Sequence, residues 1–268
     1  MKWWCILFTF YLISCTSYKK ISLPAREESA LTGSEFYQFI LNQDWRSRDS
    51  IAVKEILNGN VPAFLKKFTP VSIQTTNKEG QTIKATIFVS PDYVSIGHDN
   101  DWARIPLTPM AAQRIADQLG CFLPTRKLVD DIYKGAAIKL EPIPMFAFRD
   151  SVPTMYQHHL IIEGQRKSQS GLIAGIKKDI VISGKIKRDA RHDRVAIYGW
   201  HRRNGLPIQP LYTGHASWYV DYSHGVRLIY RKIKVGKKWI DYLDVLNNDA
   251  LNRLLCDEEY CDFYKYPY

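Results

Sequence analysis

Apolar residues recur at helical spacing across residues 34–42 (SEFYQFILN) behind a serine cap. Residues 49–58 repeat that pattern ahead of Gly59, which suits the left-handed position after a helix end. A third short helical turn is expected over 62–68, so the folded part opens with an N-terminal helical layer. From Val71 the period changes to two. Residues 71–76 and 81–89 alternate apolar and polar around a hairpin loop at 77–80 that ends in glycine, and 93–96 adds a strand. Thr108 caps and Pro109 opens the clearest helix, which ends at Gly120 with Ala112, Ile115, Ala116 and Leu119 as its stripe. Thr125 caps a second helix through Ala137, and residues 121–124 join the two into an αα-hairpin. Residues 141–153 hold Pro142, Pro144 and Pro153 and read as an extended crossing segment or a subdomain boundary.

Further strands are expected at 159–163, 172–176, 179–183 and 194–198. A hairpin of 226–235 and 238–243 follows, and Asn248 caps a last helix through Leu255. Strands, then helices, then strands without regular alternation predict an α+β fold. Its sheet is mixed or antiparallel, with the helical layer and the capped αα-hairpin packed on it. Residues 34–268 are expected to form a single α+β domain.

Hydrophobic residues make up 46% of the chain and aromatic ones 13%, enough for a real core and unlike a disordered segment. The net charge of +10 points to an anionic partner. No nucleic-acid-binding motif accompanies it, so nucleic acid ranks low. The start of the chain redirects the charge argument. Lys2 precedes an apolar run over residues 3–13 that is too short to span a bilayer, as in an export signal.

That run ends in Leu12-Ile13-Ser14-Cys15, which resembles the lipobox of bacterial lipoproteins. The resemblance implies a signal over 1–14, cleavage before Cys15 and a lipid on that cysteine, with 15–33 as anchor and tether. Thr16 follows where an aspartate would retain the protein at the inner membrane. The resemblance therefore implies the outer membrane or cell surface of a bacterial envelope. Behind such a signal the expected anions are cell-wall polymers or acidic polysaccharides, with the membrane met through the lipid at Cys15. Cys256 and Cys261 either close a small disulfide loop in an oxidising compartment or remain two thiols. Cys121 reads as a small buried hydrophobe.

Residues 194–229 concentrate polar chemistry between strands. They hold His201, His215 and His224, with Asp221 and Arg227, among Tyr198, Trp200, Tyr212, Trp218, Tyr219 and Tyr222. On loops held by a sheet, Asp221 is expected to fix the tautomer of His224 or His215, and His201 to converge on them. Imidazoles with a carboxylate serve as general base and acid, or hold zinc with an open position. If zinc is bound, its expected ligands are the same four residues, His201, His215, Asp221 and His224. Lys178, Trp200, Tyr219 and Arg227 are the expected substrate contacts. Lys177-Lys178 reads otherwise as a solvated charge run, and the large aromatics as sugar platforms or core. His158-His159 reads as structural, at a strand start. His98-Asp99-Asn100-Asp101 lacks the ligand count of an EF-hand and reads as a polar turn, its carboxylates within reach of Arg104.

Ser223-His224-Gly225-Val226-Arg227 is similar to the Ser-His-Gly-Cys-Arg motif of L,D-transpeptidases, and Tyr198-Gly199-Trp200-His201 loosely resembles that family's earlier histidine element. Val226 stands in the nucleophile position, which excludes thiolate chemistry there. His215-Ala-Ser-Trp-Tyr-Val-Asp221 resembles the histidine-to-aspartate element of zinc peptidases that trim peptidoglycan, one residue short and without the later His-x-His. Glycosidase chemistry usually needs two facing carboxylates, and this stretch offers Asp221 alone. The expectation is an envelope lipoprotein that cleaves a cell-wall peptide or polysaccharide at a His/Asp site, as a hydrolase or lyase. Its rival is a non-catalytic glycan- or peptidoglycan-binding lipoprotein.

Overall fold

The computed structural model describes residues 19–77 and 79–268. The expected export signal and Cys15 lie outside the described residues. The expected tether does not hang free where it is described. Lys19–Lys20 pairs antiparallel with Lys67–Thr76, Ile21 is buried, and Arg26 Nε donates to Asn60 Oδ1 at 2.8 Å.

Thr32, two residues ahead of the expected serine, caps the helix Gly33–Phe39, and Glu35 completes a capping box. Asp44 caps the helix Trp45–Leu57 by accepting from the N–H groups of Arg46 and Ser47. Residues 62–68 divide into a 3-10 turn, Ala63–Lys66, and the start of a strand at Lys67. Gly33–Phe39 packs on the strands Ser95–His98 and Asp101–Arg104, and Trp45–Leu57 on Ser95–His98 and the helix Pro109–Gln118. The largest sheet has seven strands. The order runs Lys19–Lys20, Lys67–Thr76, Thr82–Val89, Ile229–Tyr230, Cys121–Phe122, with Lys232–Val235 also paired to Thr82–Val89 and Lys238–Asp241 beyond it. Every pairing in that sheet is antiparallel.

Thr108 and Thr125 cap Pro109–Gln118 and Arg126–Gly135 as their sequences require. The link between them is itself a strand, Cys121–Phe122, which draws the two helices apart. Pro109–Gln118 lies on Trp45–Leu57, and Arg126–Gly135 on Lys67–Thr76 and Arg194–His201.

The strand expected at 159–163 is a helix instead, Val152–Arg166. Ser151 caps it, Pro153 sits in its first turn, and Met155, His158, His159 and Ile162 bury one face at spacings of three and four. Two polar histidines on that face hide the period from a reading of apolar residues alone. Ser95–His98 and Asp101–Arg104 form a hairpin whose turn is the polar cluster, with Asp101 accepting from the Ser34 N–H and Asp99 from that of Ala63. Arg104 turns away from those carboxylates to pair with Asp92 and Glu163.

A second sheet, ordered Pro207–Ala216, Arg194–His201, Lys178–Val181, His224–Gly225, carries the stretch singled out by its histidines. Its outer strand begins already at Pro207, six residues after His201. His224–Gly225 pairs parallel with Lys178–Val181. The chain then crosses to the large sheet: the carbonyls of Val226 and Leu228 accept from Val94 and Ser90, and Ile229 pairs with Val89. Gly225 is required by close approach, because a Cβ there would lie 2.5 Å from the Tyr93 ring and 2.7 Å from Lys177 Cβ.

At the C-terminal end Asp241 caps a helix, Tyr242–Leu246, and the helix expected after Asn248 reduces to a 3-10 turn, Asn252–Leu254. Cys256 and Cys261 form a disulfide, while Cys121 is free and buried. Closing so short a loop removes about 2 kcal/mol of unfolded-chain entropy. Replacing both cysteines with serine is therefore expected to lower stability by about that amount, read as a urea midpoint shift that reductant reproduces in the native chain. Equal midpoints with and without reductant would show that the bond constrains nothing. No helix among the described residues is long and apolar enough to cross a membrane.

Candidate active site

Successive residues of the Lys178–Val181 strand point to opposite faces, and this alternation sorts the polar groups into two sets. On one face Asp179 accepts from the Tyr93 hydroxyl at 2.9 Å and feels the charge of Arg227. On the other, Lys178 holds its ammonium 5.1 Å from the Trp200 ring and feels Asp221 and Arg149. Both Lys177 and Lys178 are buried, unlike a solvated charge run.

His201 belongs to the Asp179 face. Gly199 and Trp200 have φ of 107° and 59°, and the register to Pro207–Ala216 shifts between Ile197 and Gly199. This bulge inverts the alternation of the Arg194–His201 strand. Trp200 turns to Lys178, whereas His201 swings to the helix Arg126–Gly135, where its Nε2 meets Asp130 Oδ1 at 2.8 Å under a stacked Tyr133. The Tyr198 hydroxyl donates to the same carboxylate. The expected meeting of His201 with the other two histidines does not occur.

His215, Asp221 and His224 do come together. The rings of His215 and His224 lie 5.8 Å apart, and Tyr219 closes the group at 4.7 Å from His215 and 6.1 Å from His224. Asp221 does not orient either imidazole by a side-chain hydrogen bond, as the sequence led one to expect. Its Oδ2 accepts from Arg149 Nη2 at 2.8 Å, and its Oδ1 accepts from the Ser223 N–H at 2.8 Å and hydroxyl at 2.5 Å. Burial alone would raise the Asp221 pKa; the adjacent His224, the Ser223 donors and Lys178 outweigh it and lower it to about 2. Asp221 is thus a fixed anion, completely buried.

His224 is 1% exposed, and neither ring nitrogen has a hydrogen-bond partner. Burial lowers its pKa to about 4 against the pull of Asp221, with His215 and Lys178 assisting. His215 is only half buried and its pKa is also lowered, by burial first and by Lys178 and Arg149 after it. At neutral pH both imidazoles are uncharged bases, and His215 is the one open to solvent. A ring kept neutral on folding favours the folded state above its unfolded value of 6.5, and that contribution is lost as the pH falls to about 4. The His224→Gln variant is therefore expected to show a flatter fall in stability than the native chain between pH 6.5 and about 4, measured by urea denaturation. Parallel profiles would contradict a neutral buried ring.

Behind this group lies a second buried layer. Lys177 Nζ donates to the Tyr222 carbonyl and meets His158 Nδ1 at 3.1 Å, and the His158 ring packs edge-on against Tyr222 at 4.7 Å. In front of it, Tyr219 forms the wall shared with a cleft of about 400 Å³. Trp218, Trp45, Arg48, Asp150 and Pro153 also line that cleft. Trp218 is 53% exposed, and the exposed Tyr212 ring lies 5.3 Å from His215 on its other side.

Two expected substrate contacts are placed elsewhere. Arg227 is buried, donates to the carbonyls of Ser90 and Ile173 and lies over the Tyr93 ring at 4.1 Å. It ties the end of the Thr82–Val89 strand to Ile173 instead of facing the cleft. Trp200 is buried and forms the wall against Lys178. With His201 on the far face the expected zinc set is not assembled, and among the described residues no group of three or more His, Cys, Asp or Glu side chains is placed for a metal ion. Arg149 escaped the sequence reading: it lies 72 residues from Asp221 in a proline-rich segment without periodicity, and no spacing marks it. No protein-family model, curated protein or solved structure matches the chain.

Proposed function

We propose that this chain is an envelope lipoprotein, held through Cys15, that cleaves an anionic cell-wall peptide or polysaccharide by acid–base chemistry. The observation that carries the reading is the pairing of an accessible neutral imidazole, His215, with an enclosed one, His224, near Lys178 and Arg149 and against Tyr219, the member of the group that lines the cleft. His215 serves as general base. A neutral imidazole at neutral pH has both the protonation state and the basicity the role needs. Lys178 and Arg149 supply positive charge to an anionic group of the substrate, next to the fixed anion Asp221. Tyr219, whose pKa is raised by burial first and by Asp221 after it, keeps its proton at neutral pH and is placed to act as the acid. His224 is a positioning residue that supports the His215 ring from behind.

The exposed rings of Trp218 and Tyr212 favour a second reading, a non-catalytic glycan- or peptidoglycan-binding lipoprotein. Incubating the full-length chain with purified sacculi and a panel of acidic polysaccharides separates the two. Release of soluble fragments that scales with enzyme and time supports cleavage. Tight sedimentation without release supports binding alone, and neither binding nor release overturns both readings. The same fragment release, followed against pH, is expected to fall on the acid side as His215 takes up a proton, with its midpoint below the ordinary imidazole value.

A further inference from the structure

The groups around His215 are more specific than acid–base chemistry in general. Hydrolysis of a glycoside uses two carboxyl groups across the scissile bond. Here Asp221 is completely buried and committed to Arg149 and Ser223. The cleft itself is lined by two carboxylates, and Asp44 is occupied in capping its helix, which leaves Asp150 without a facing partner. Covalent catalysis needs a nucleophile paired with its base. The Ser223 hydroxyl is buried and bonded to Asp221, not to an imidazole. What the site does offer is one neutral base, one protonated phenol and two cations.

Resting on the acid–base reading above, we propose that the substrate is a uronic-acid polysaccharide and that its glycosidic bond breaks by β-elimination at His215, Tyr219, Lys178 and Arg149. Lys178 and Arg149 bind the carboxylate of the uronate. Arg149 is suited to this because its side chain is 42% exposed and only one of its nitrogens engages Asp221. The Lys178 side chain makes no hydrogen bond among the described residues and holds its ammonium on the same side. Withdrawing charge from the carboxylate acidifies the carbon beside it, and His215 removes the proton from that carbon. The electron pair left behind forms a carbon–carbon double bond to the next ring carbon. The bond from that carbon to the glycosidic oxygen breaks, and the oxygen takes its electron pair and the Tyr219 proton. The His215 imidazolium then returns a proton to the tyrosinate, since the two rings lie 4.7 Å apart. No water, metal or redox partner is consumed, and atoms and charge balance over the cycle. The exposed rings of Trp218, next in sequence to Tyr219, and of Tyr212, 5.3 Å from His215, stack on the neighbouring sugars.

The test incubates the full-length chain with polygalacturonate, alginate and hyaluronan, with carboxyl-reduced polygalacturonate and purified sacculi beside them. Products are read by the ultraviolet absorbance of unsaturated uronate ends and by mass. Unsaturated ends from at least one uronate polymer, absent after carboxyl reduction and formed about a hundredfold more slowly by His215→Ala, are the expected result. Tyr219→Phe is expected to lower kcat with little change in KM, and Arg149→Gln to impair both. Saturated ends alone would overturn elimination while leaving the acid–base reading in place. Cleavage of sacculi but of no uronate polymer would overturn the substrate class in the same way. Cleavage of none of the polymers would remove both.

Discussion

Replacing His215 with alanine is expected to slow polymer cleavage by roughly 10²–10⁴-fold, the usual contribution of a positioned general base. The loss should fall on kcat, since Lys178, Arg149, Trp218 and Tyr219 remain to hold the polymer. The variant is expected to fold, because His215 is half buried on the outer strand of the small sheet and its side chain makes ring contacts without a hydrogen bond. Circular dichroism and the urea midpoint check that point. His192→Ala, at an exposed position, serves as the control for removing an imidazole. A His215→Ala chain that turns over at the native rate would end the proposal that this ring is the base. A loss of affinity with no turnover in the native chain would leave only the binding reading.

The largest expected effect on stability lies behind the site. Arg104 is fully buried, with Nε and Nη2 donating to the two oxygens of Asp92 at 2.8 and 2.6 Å. Its Nη1 lies 2.8 Å from Glu163 and 3.2 Å from His159 Nδ1. Removing one partner of a buried ion pair leaves the other charge stranded in low dielectric, which costs about 3–5 kcal/mol. Arg104→Met is expected to show that loss, a fall of roughly 10 °C in Tm for a domain of this size. Glu163 is a quarter exposed and paired also with Arg166, so Asp92 carries most of the effect. Arg104→Met combined with Asp92→Leu should recover much of the loss, because an apolar pair of similar volume needs no solvation. A single-variant loss below 1 kcal/mol, or a double variant no better than the single, would contradict a closed buried pair. Through Glu163 and His159, Arg104 also joins its hairpin to the helix Val152–Arg166, the element that supplies His158 to Lys177. Its removal is therefore expected to loosen the bed on which Tyr222 and Asp221 rest.

Local signals in the sequence carried the elements with strong caps and clean periods. Thr108-Pro109 and Thr125 start helices because a side-chain oxygen answers the first free N–H groups whatever lies around it. The alternation of residues 71–76 and 81–89 needs only one buried face to be read. Where a buried face contains polar residues, the signal fails. His158 and His159 lie inward on a helix because Lys177 and Arg104 await them there, and nothing within ten residues announces those partners.

What the chain alone determined is the mixed helix-and-strand architecture and the region where histidines, aromatics and Asp221 accumulate. Only the tertiary structure decided which of them meet. The Gly199–Trp200 bulge sends His201 to Asp130, Arg227 faces inward to the carbonyls of Ser90 and Ile173, and Arg149 arrives from a distant segment to hold Asp221. The physical reason is that facing direction depends on register and on left-handed backbone at single residues. A shift of one position turns a side chain from one side of a sheet to the other without changing a letter of the pattern.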